Sequence, residues 1–170
     1  MNGAPRRNAA LFTGVVTGVG AALLAAGPVM VVRGRGGRKE IRGELAAQRI
    51  TFPDTGLPAQ LARHAGAAVE TGPQAHAYAE LIKDHLAHAT GGRTYAEITD
   101  ELFASGGDDE KLTKLRQTAF MGETLRGSLL SAYQAWHLTT LVTGLGTLLT
   151  GVGAALLVTA DALGAGPRRP

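Results

Sequence analysis

Gly127–Ala160 reads GSLLSAYQAWHLTTLVTGLGTLLTGVGAALLVTA and contains no Asp, Glu, Lys or Arg. As a helix rising ~1.5 Å per residue it would reach roughly 50 Å, against ~30 Å for the hydrocarbon core of a bilayer. One crossing therefore needs only part of it. His137 interrupts the apolar run, and Tyr133 and Trp136 stand where an aromatic belt would mark the lipid–water interface. The lipid-buried part is accordingly placed at Leu138–Ala160, with a tail over 161–170.

A second block of the same kind lies near the other end. Asn8–Val32, NAALFTGVVTGVGAALLAAGPVMVV, has no ionisable side chain, and its length of about 25 residues would span roughly 37 Å as a helix. Arg6 and Arg7 flank one end and Arg33, Arg35, Arg38 and Lys39 the other. These cations suit lipid headgroups. The first crossing is placed at Ala9–Val32, after a tail over 1–8, with Pro28 expected to kink or end the helix. A cleaved secretory leader is the competing reading, because Ala25-Ala26-Gly27 offers small residues. The apolar stretch is longer than the ~7–15 residues of a leader, and Pro28 is a poor neighbour for cleavage.

Between these blocks the composition changes. The chain has 170 residues and a net charge of +3, and its mean hydropathy of +0.05 averages two greasy ends with a polar middle. The absence of cysteine removes disulfides, thiolate metal sites and cysteine nucleophiles. The excess of arginine over lysine, with abundant alanine and glycine, reads as coding bias more than as a nucleic-acid footprint, and no nucleic-acid partner is expected.

Small residues crowd both apolar blocks. Gly14 and Gly18 in the first, and Gly144, Thr147 and Gly151 in the second, are the candidate helix-packing positions, of a close-packed helix pair or of a dimer face, since such faces let backbones approach closely. The plainer alternative is the ordinary glycine content of membrane helices. Thr17–Leu24 recurs identically as Thr150–Leu157; with so few residue types in use, this reads as compositional drift.

The middle, residues 33–137, is expected to form a small helical cap. Gly34, Gly36 and Gly37 predict a break after the first crossing, with helical character resuming over Lys39–Arg49. Ile50–Pro58 carries two prolines and reads as extended, and a short helix should follow through Glu70. Thr71-Gly-Pro-Gln74 predicts a capped helix start, with Ala77, Tyr78, Leu81, Ile82, His85 and Ala89 as its buried stripe and Gly91-Gly92 as its stop. Thr94–Glu97 has capping-box spacing and predicts a helix to Phe103, ended by Gly106-Gly107. Acidic Asp108–Glu110 suits a further helix start. The stripe Leu112, Leu115, Ala119, Leu125, Leu129 predicts one helix running on into the second crossing. The fold class is thus all-α: two antiparallel transmembrane helices with a helical cap between them.

Three stretches carry a resemblance. Ala79–Ile98, AELIKDHLAHATGGRTYAEI, is similar to the central signature of a family of small two-span membrane proteins of actinobacteria, in which a His is followed five residues later by T-G-G-basic-T-Y-A-E. Gln48-Arg49-Ile50-Thr51 and Leu125-Arg126-Gly-Ser-Leu129 resemble flanking parts of the same family. The resemblance implies architecture and no particular reaction. Labels such as permease or ring-opening dioxygenase attached to that family find no transport pathway or dioxygenase metal set here.

Candidate chemistry is sparse. His85 and His88 lie on adjacent turns near Glu80 and Asp84, with His76 further back, and imidazoles at that step can share a metal. The plainer reading is that histidines on a half-buried helix form hydrogen bonds, His85 to the Thr90–Thr94 turn. No GxSxG, P-loop or HExxH motif is present, so neither an enzyme nor a cofactor is expected. The Arg33–Arg42 cluster fits acidic lipid headgroups. The function expected is that of a structural or protein-interaction component of the plasma membrane, with membrane lipids, a second copy or another envelope protein as partners. The alternative is a ligand- or metal-sensing module at the His85 region. Basic residues near the crossings favour a cytoplasmic middle, a rule that weakens for segments beyond about 60 residues; the resemblance implies the reverse, with both termini inside.

Overall fold

A computed structural model describes residues 4–164 of the chain. Four α-helices, α1 (Ala4–Ala47), α2 (Gly72–Thr90), α3 (Tyr95–Ala104) and α4 (Glu110–Gly164), are joined by a segment holding a 3-10 turn at Ala59–His64. α1 and α4 are both long and apolar enough to cross a membrane. The chain divides into two compact units, one of residues up to 38 and from 138 onward, the other Lys39–His137.

Two expectations about α1 need correction. The helix runs unbroken through Gly34, Gly36 and Gly37, and Pro28 lies inside it rather than ending it. Gly34 is buried in helical packing, so that glycine serves close approach rather than chain reversal. Pro28 lies on the exposed side. The helix stops where Arg49 takes a left-handed φ of 53°, its N–H meeting the Ala46 carbonyl at 3.0 Å.

In the 39–137 unit, Ile50–Phe52, the start of the Ile50–Pro58 stretch expected to be extended, pairs with Ala67–Val69. The Phe52 N–H donates to the Ala67 carbonyl and the Val69 N–H to that of Ile50, both at 2.9 Å, around an antiparallel bridge Thr51–Ala68. The helix expected through Glu70 is therefore cut to the 3-10 turn. Gly66, at φ +67°, turns the chain back so that Val69 can enter the core. Phe52, Leu61 and Val69 pack there with Leu45, Ala75, Ala77, Ala79, Leu81 and Leu129.

The remaining boundaries follow their local signals. Thr71 Oγ1 accepts from the Gln74 N–H at 3.4 Å, while Gln74 Oε1 accepts from the Glu70 N–H at 3.1 Å. Gly91 closes α2 in a left-handed conformation. Asp109 Oδ1 takes the first free amides of α4, from Lys111 at 2.8 Å and Leu112 at 3.0 Å. α4 then continues as one helix to Gly164.

α2 lies antiparallel along α4. A Cβ on Gly72 would meet Trp136, and one on Gly122 would lie 2.5 Å from a methyl of Leu86; His76 and Tyr133 rings sit 4.5 Å apart. As the α2 number rises, its α4 partner falls. The stripe expected on α2 is right in its first half only, since His85 and Ala89 are exposed. They extend the Tyr78–Leu81–Ile82 row past the end of the Phe52 core.

Candidate functional site

Two places in the molecule combine geometry with chemistry. The first is the seam between α1 and α4 in the unit of residues up to 38 and from 138. A Cβ built on Gly27 would lie 2.6 Å from the Gly146 carbonyl oxygen and 2.8 Å from the Thr150 nitrogen; on Gly153 it would lie 2.6 Å from the Leu24 nitrogen. Gly20 faces Gly153, and Gly34 faces Thr143. The spacing is seven: Gly20, Gly27 and Gly34 on α1, and Thr139, Gly146, Gly153 and Ala160 on α4. A seven-residue repeat of small residues keeps one face of each helix on the other.

The packing positions expected from the sequence lie off this seam. Among the described residues nothing lies within 4 Å of where a Cβ would sit on Gly14, Gly18, Gly144 or Gly151, and Thr147 is exposed, its hydroxyl donating to the Thr143 carbonyl at 2.9 Å. The four-residue spacing of Gly14 and Gly18 drew attention from the seven-residue spacing that makes the contact. The repeated TGVGAALL segments, read as drift, meet each other through Gly20 and Gly153.

Large side chains point the other way. Leu11, Phe12, Val15, Val29 and Val32 on α1, and Leu138, Leu141, Leu148 and Val158 on α4, are each more than half exposed. Threonine hydroxyls on both helices satisfy themselves on the carbonyl one turn back, as Thr17 to Thr13 at 2.9 Å and Thr150 to Gly146 at 2.8 Å.

Of the cations assigned to headgroups, Arg33, Arg35 and Lys39 are exposed. Arg38 instead reaches across to α4, its Nε donating to Thr139 Oγ1 at 3.4 Å and Nη2 to Thr140 Oγ1 at 2.5 Å. Tyr133 and Trp136, expected in an interfacial belt, are half-buried and face α2. Tyr133 also meets His137 edge-on at 4.4 Å.

The second place is the turn Thr90–Glu97. Gly91 and Gly92, at φ 65° and 79°, reverse the chain between α2 and α3. Arg93 locks the turn: its Nε donates to the Thr90 carbonyl at 2.9 Å, and Nη1 pairs with Glu101 at 2.6 Å. His85, expected to brace this turn, is exposed, so that role falls to Arg93. His85 and His88 both face outward, and among the described residues no group of three or more His, Asp and Glu is placed to hold a metal.

Thr94 and Glu97 form the reciprocal cap at the start of α3. Glu97 accepts from the Thr94 N–H at 2.7 Å and from its hydroxyl at 2.9 Å, and these bonds, the backbone one first, hold its carboxyl below the ordinary glutamate value. A depressed carboxylate pKa means the stabilisation is whole above the ordinary value, about 4.3. It is lost as pH falls through the lowered one. Thr94→Ala should lower the stability of the folded unit by about 1 kcal/mol at neutral pH, measured by thermal melting. The difference from the native chain should shrink in acid, where the native cap also fails.

The turn walls a cleft of about 600 Å³ together with Lys83, Leu86 and Ala87 of α2 and Ala119, Glu123 and Arg126 of α4. Lys83, Arg93 and Arg126 all fall within the stretches singled out in the sequence, but their grouping was not legible, because nothing local links them until α2 lies along α4. No family model, curated protein or solved structure matches the chain.

Proposed function

We propose that the chain is an integral protein of the plasma membrane, crossing it twice as an antiparallel helix pair, with residues 39–137 forming a cap that binds another envelope protein or a second copy of the chain. The observation that carries the membrane reading is the inside-out build of the α1–α4 pair, with glycine and threonine between the helices and leucine, valine and phenylalanine outside. In water the hydrophobic effect would favour the opposite arrangement. In lipid, packing of small residues drives association and large apolar residues meet the acyl chains. The self-satisfied threonines fit the same solvent, which offers backbone and hydroxyl groups no partner.

The likeness of Ala79–Ile98 to the actinobacterial two-span family supports placing both termini in the cytoplasm and the cap outside. An interaction role is supported by apolar side chains that the cap leaves exposed: Phe103, Met121, Phe120 and, 5.9 Å from it, Tyr95. Among the described residues no third ligand stands with His85 and His88 to recommend a metal-sensing role.

Cysteine labelling in intact cells tests this. Ser105→Cys should react with a membrane-impermeant maleimide, and Asp161→Cys only after permeabilisation. The reverse pattern would overturn the orientation, and release of the protein by alkaline carbonate would overturn the membrane reading altogether. A photo-crosslinking residue at Phe103 should capture one defined partner or a dimer; capture of neither would refute the interaction role.

A further inference from the structure

We infer that the cleft beside the Thr90–Tyr95 turn is a binding site for a small organic oxyanion, a phosphate or carboxylate attached to a short apolar body. Arg126 is the central observation. Among the described residues its Nε is enclosed and meets no hydrogen-bond acceptor, and its ion pair to Glu123, at 3.2 Å, engages Nη1, leaving the edge formed by Nε and Nη2 without a partner among them. A buried N–H without an acceptor is rare in folded proteins and calls for a specific reason. An arginine fork is shaped to take two oxygens of one carboxylate or phosphate.

The surroundings agree with that reading. Lys83, Arg93 and Arg126 line the cleft against one carboxylate, Glu123. Among the described residues Lys83 is tied only to Glu80, at 3.4 Å and in the open, where such a pair is weak enough to be exchanged for a ligand. The first turn of α3 also borders the cleft; its Tyr95 and Ala96 amides have no acceptor within the helix and favour negative charge. Leu86 and Ala119 supply apolar wall, which is why an inorganic ion alone would fill the site poorly. The site lies within the 39–137 unit and does not depend on the membrane reading.

The test uses the full chain in nanodiscs of zwitterionic lipid, with phenyl phosphate as probe and the Arg126 Nε–H signal followed by nitrogen-edited NMR. Phenyl phosphate should shift that signal saturably. Binding should weaken about tenfold in Lys83→Met, the loss of one charge-assisted contact, vanish in Arg126→Met, and stay native in Arg35→Met. Should Arg126→Met lose its helical content, the exposed Lys83 decides: native affinity in Lys83→Met overturns the proposal. Equally fatal are a non-saturable response, native binding by a folded Arg126→Met, or inorganic phosphate binding as tightly as its phenyl ester. Anionic lipid added to the nanodisc separates two sources of the same chemistry. A shift without dissolved ester identifies a lipid headgroup, and a shift with ester alone identifies a soluble ligand.

Discussion

Gly27→Leu will uncouple α1 from α4, while Gly14→Leu, thirteen residues earlier on the same helix and off the seven-residue row of Gly20, Gly27 and Gly34, will leave the pair intact. At Gly27 a Cβ would sit 2.6 Å from the Gly146 carbonyl oxygen and 2.8 Å from the Thr150 nitrogen. Both are backbone atoms of a helix and cannot swing aside. The helices must separate, and separation at Gly27 also opens Gly20–Gly153 and Gly34–Thr143, because a straight pair shares one interaxial distance. Overpacking a close seam costs about 1–3 kcal/mol for small insertions and more for large ones, so about 3 kcal/mol or more is expected for leucine. No described residue lies within 4 Å of where a Cβ on Gly14 would sit, and Gly14→Ala should be neutral or stabilising by up to about 1 kcal/mol, since glycine disfavours helix. Titration of the purified protein with a denaturing detergent, followed by circular dichroism, will rank the variants. Equal midpoints for Gly27→Leu and Gly14→Leu would contradict the seam.

That comparison also shows what could be read in advance. Caps and stops were legible because each is settled within a few residues: Thr71 with Gln74, Thr94 with Glu97, and Gly91 after Thr90. Both apolar helices were legible because hydropathy needs no partner. The seam was written in the sequence as glycine every seven residues, but GxxxG is the more familiar spacing, and Gly14 and Gly18 stand off the contact between α1 and α4. Gly34 shows the same confusion in another form. A glycine among arginines resembles a break, yet what it provides is room for Thr143, a residue more than a hundred positions away. The cleft was the least legible feature. Lys83, Arg93 and Arg126 become neighbours only when Gly72 and Gly122 let α2 lie close along α4, a tertiary event with no local signal.

The 39–137 unit rests on one side chain more than on any other. Phe52→Ala should destabilise it by about 3–5 kcal/mol, the range for emptying a buried phenylalanine site, out of the ~5–15 kcal/mol that holds a typical domain together. Phe52 is 2 % exposed, stacks on His64 at 5.0 Å and meets Tyr78 edge-on at 5.1 Å. These contacts join three stretches with little else to fix them: the extended Ile50–Phe52, the 3-10 turn, and the first half of α2. With the ring gone, the two bridge hydrogen bonds to Ala67 and Ile50 cannot keep Val69 buried, because so short a pairing has no stability of its own. Phe52→Leu keeps most of the volume and should lose less than about 1.5 kcal/mol. Trp136 is the only tryptophan in the chain and packs over Gly72 at the start of α2, so its fluorescence reports whether α2 remains docked. A thermal melt followed at Trp136 should fall by more than about 10 °C in Phe52→Ala. A melt within a few degrees of native would mean that α2 is held by α4 alone, through Gly72, His76 and Gly122, and that the Phe52 cluster is an ornament on that pair rather than the core of the unit.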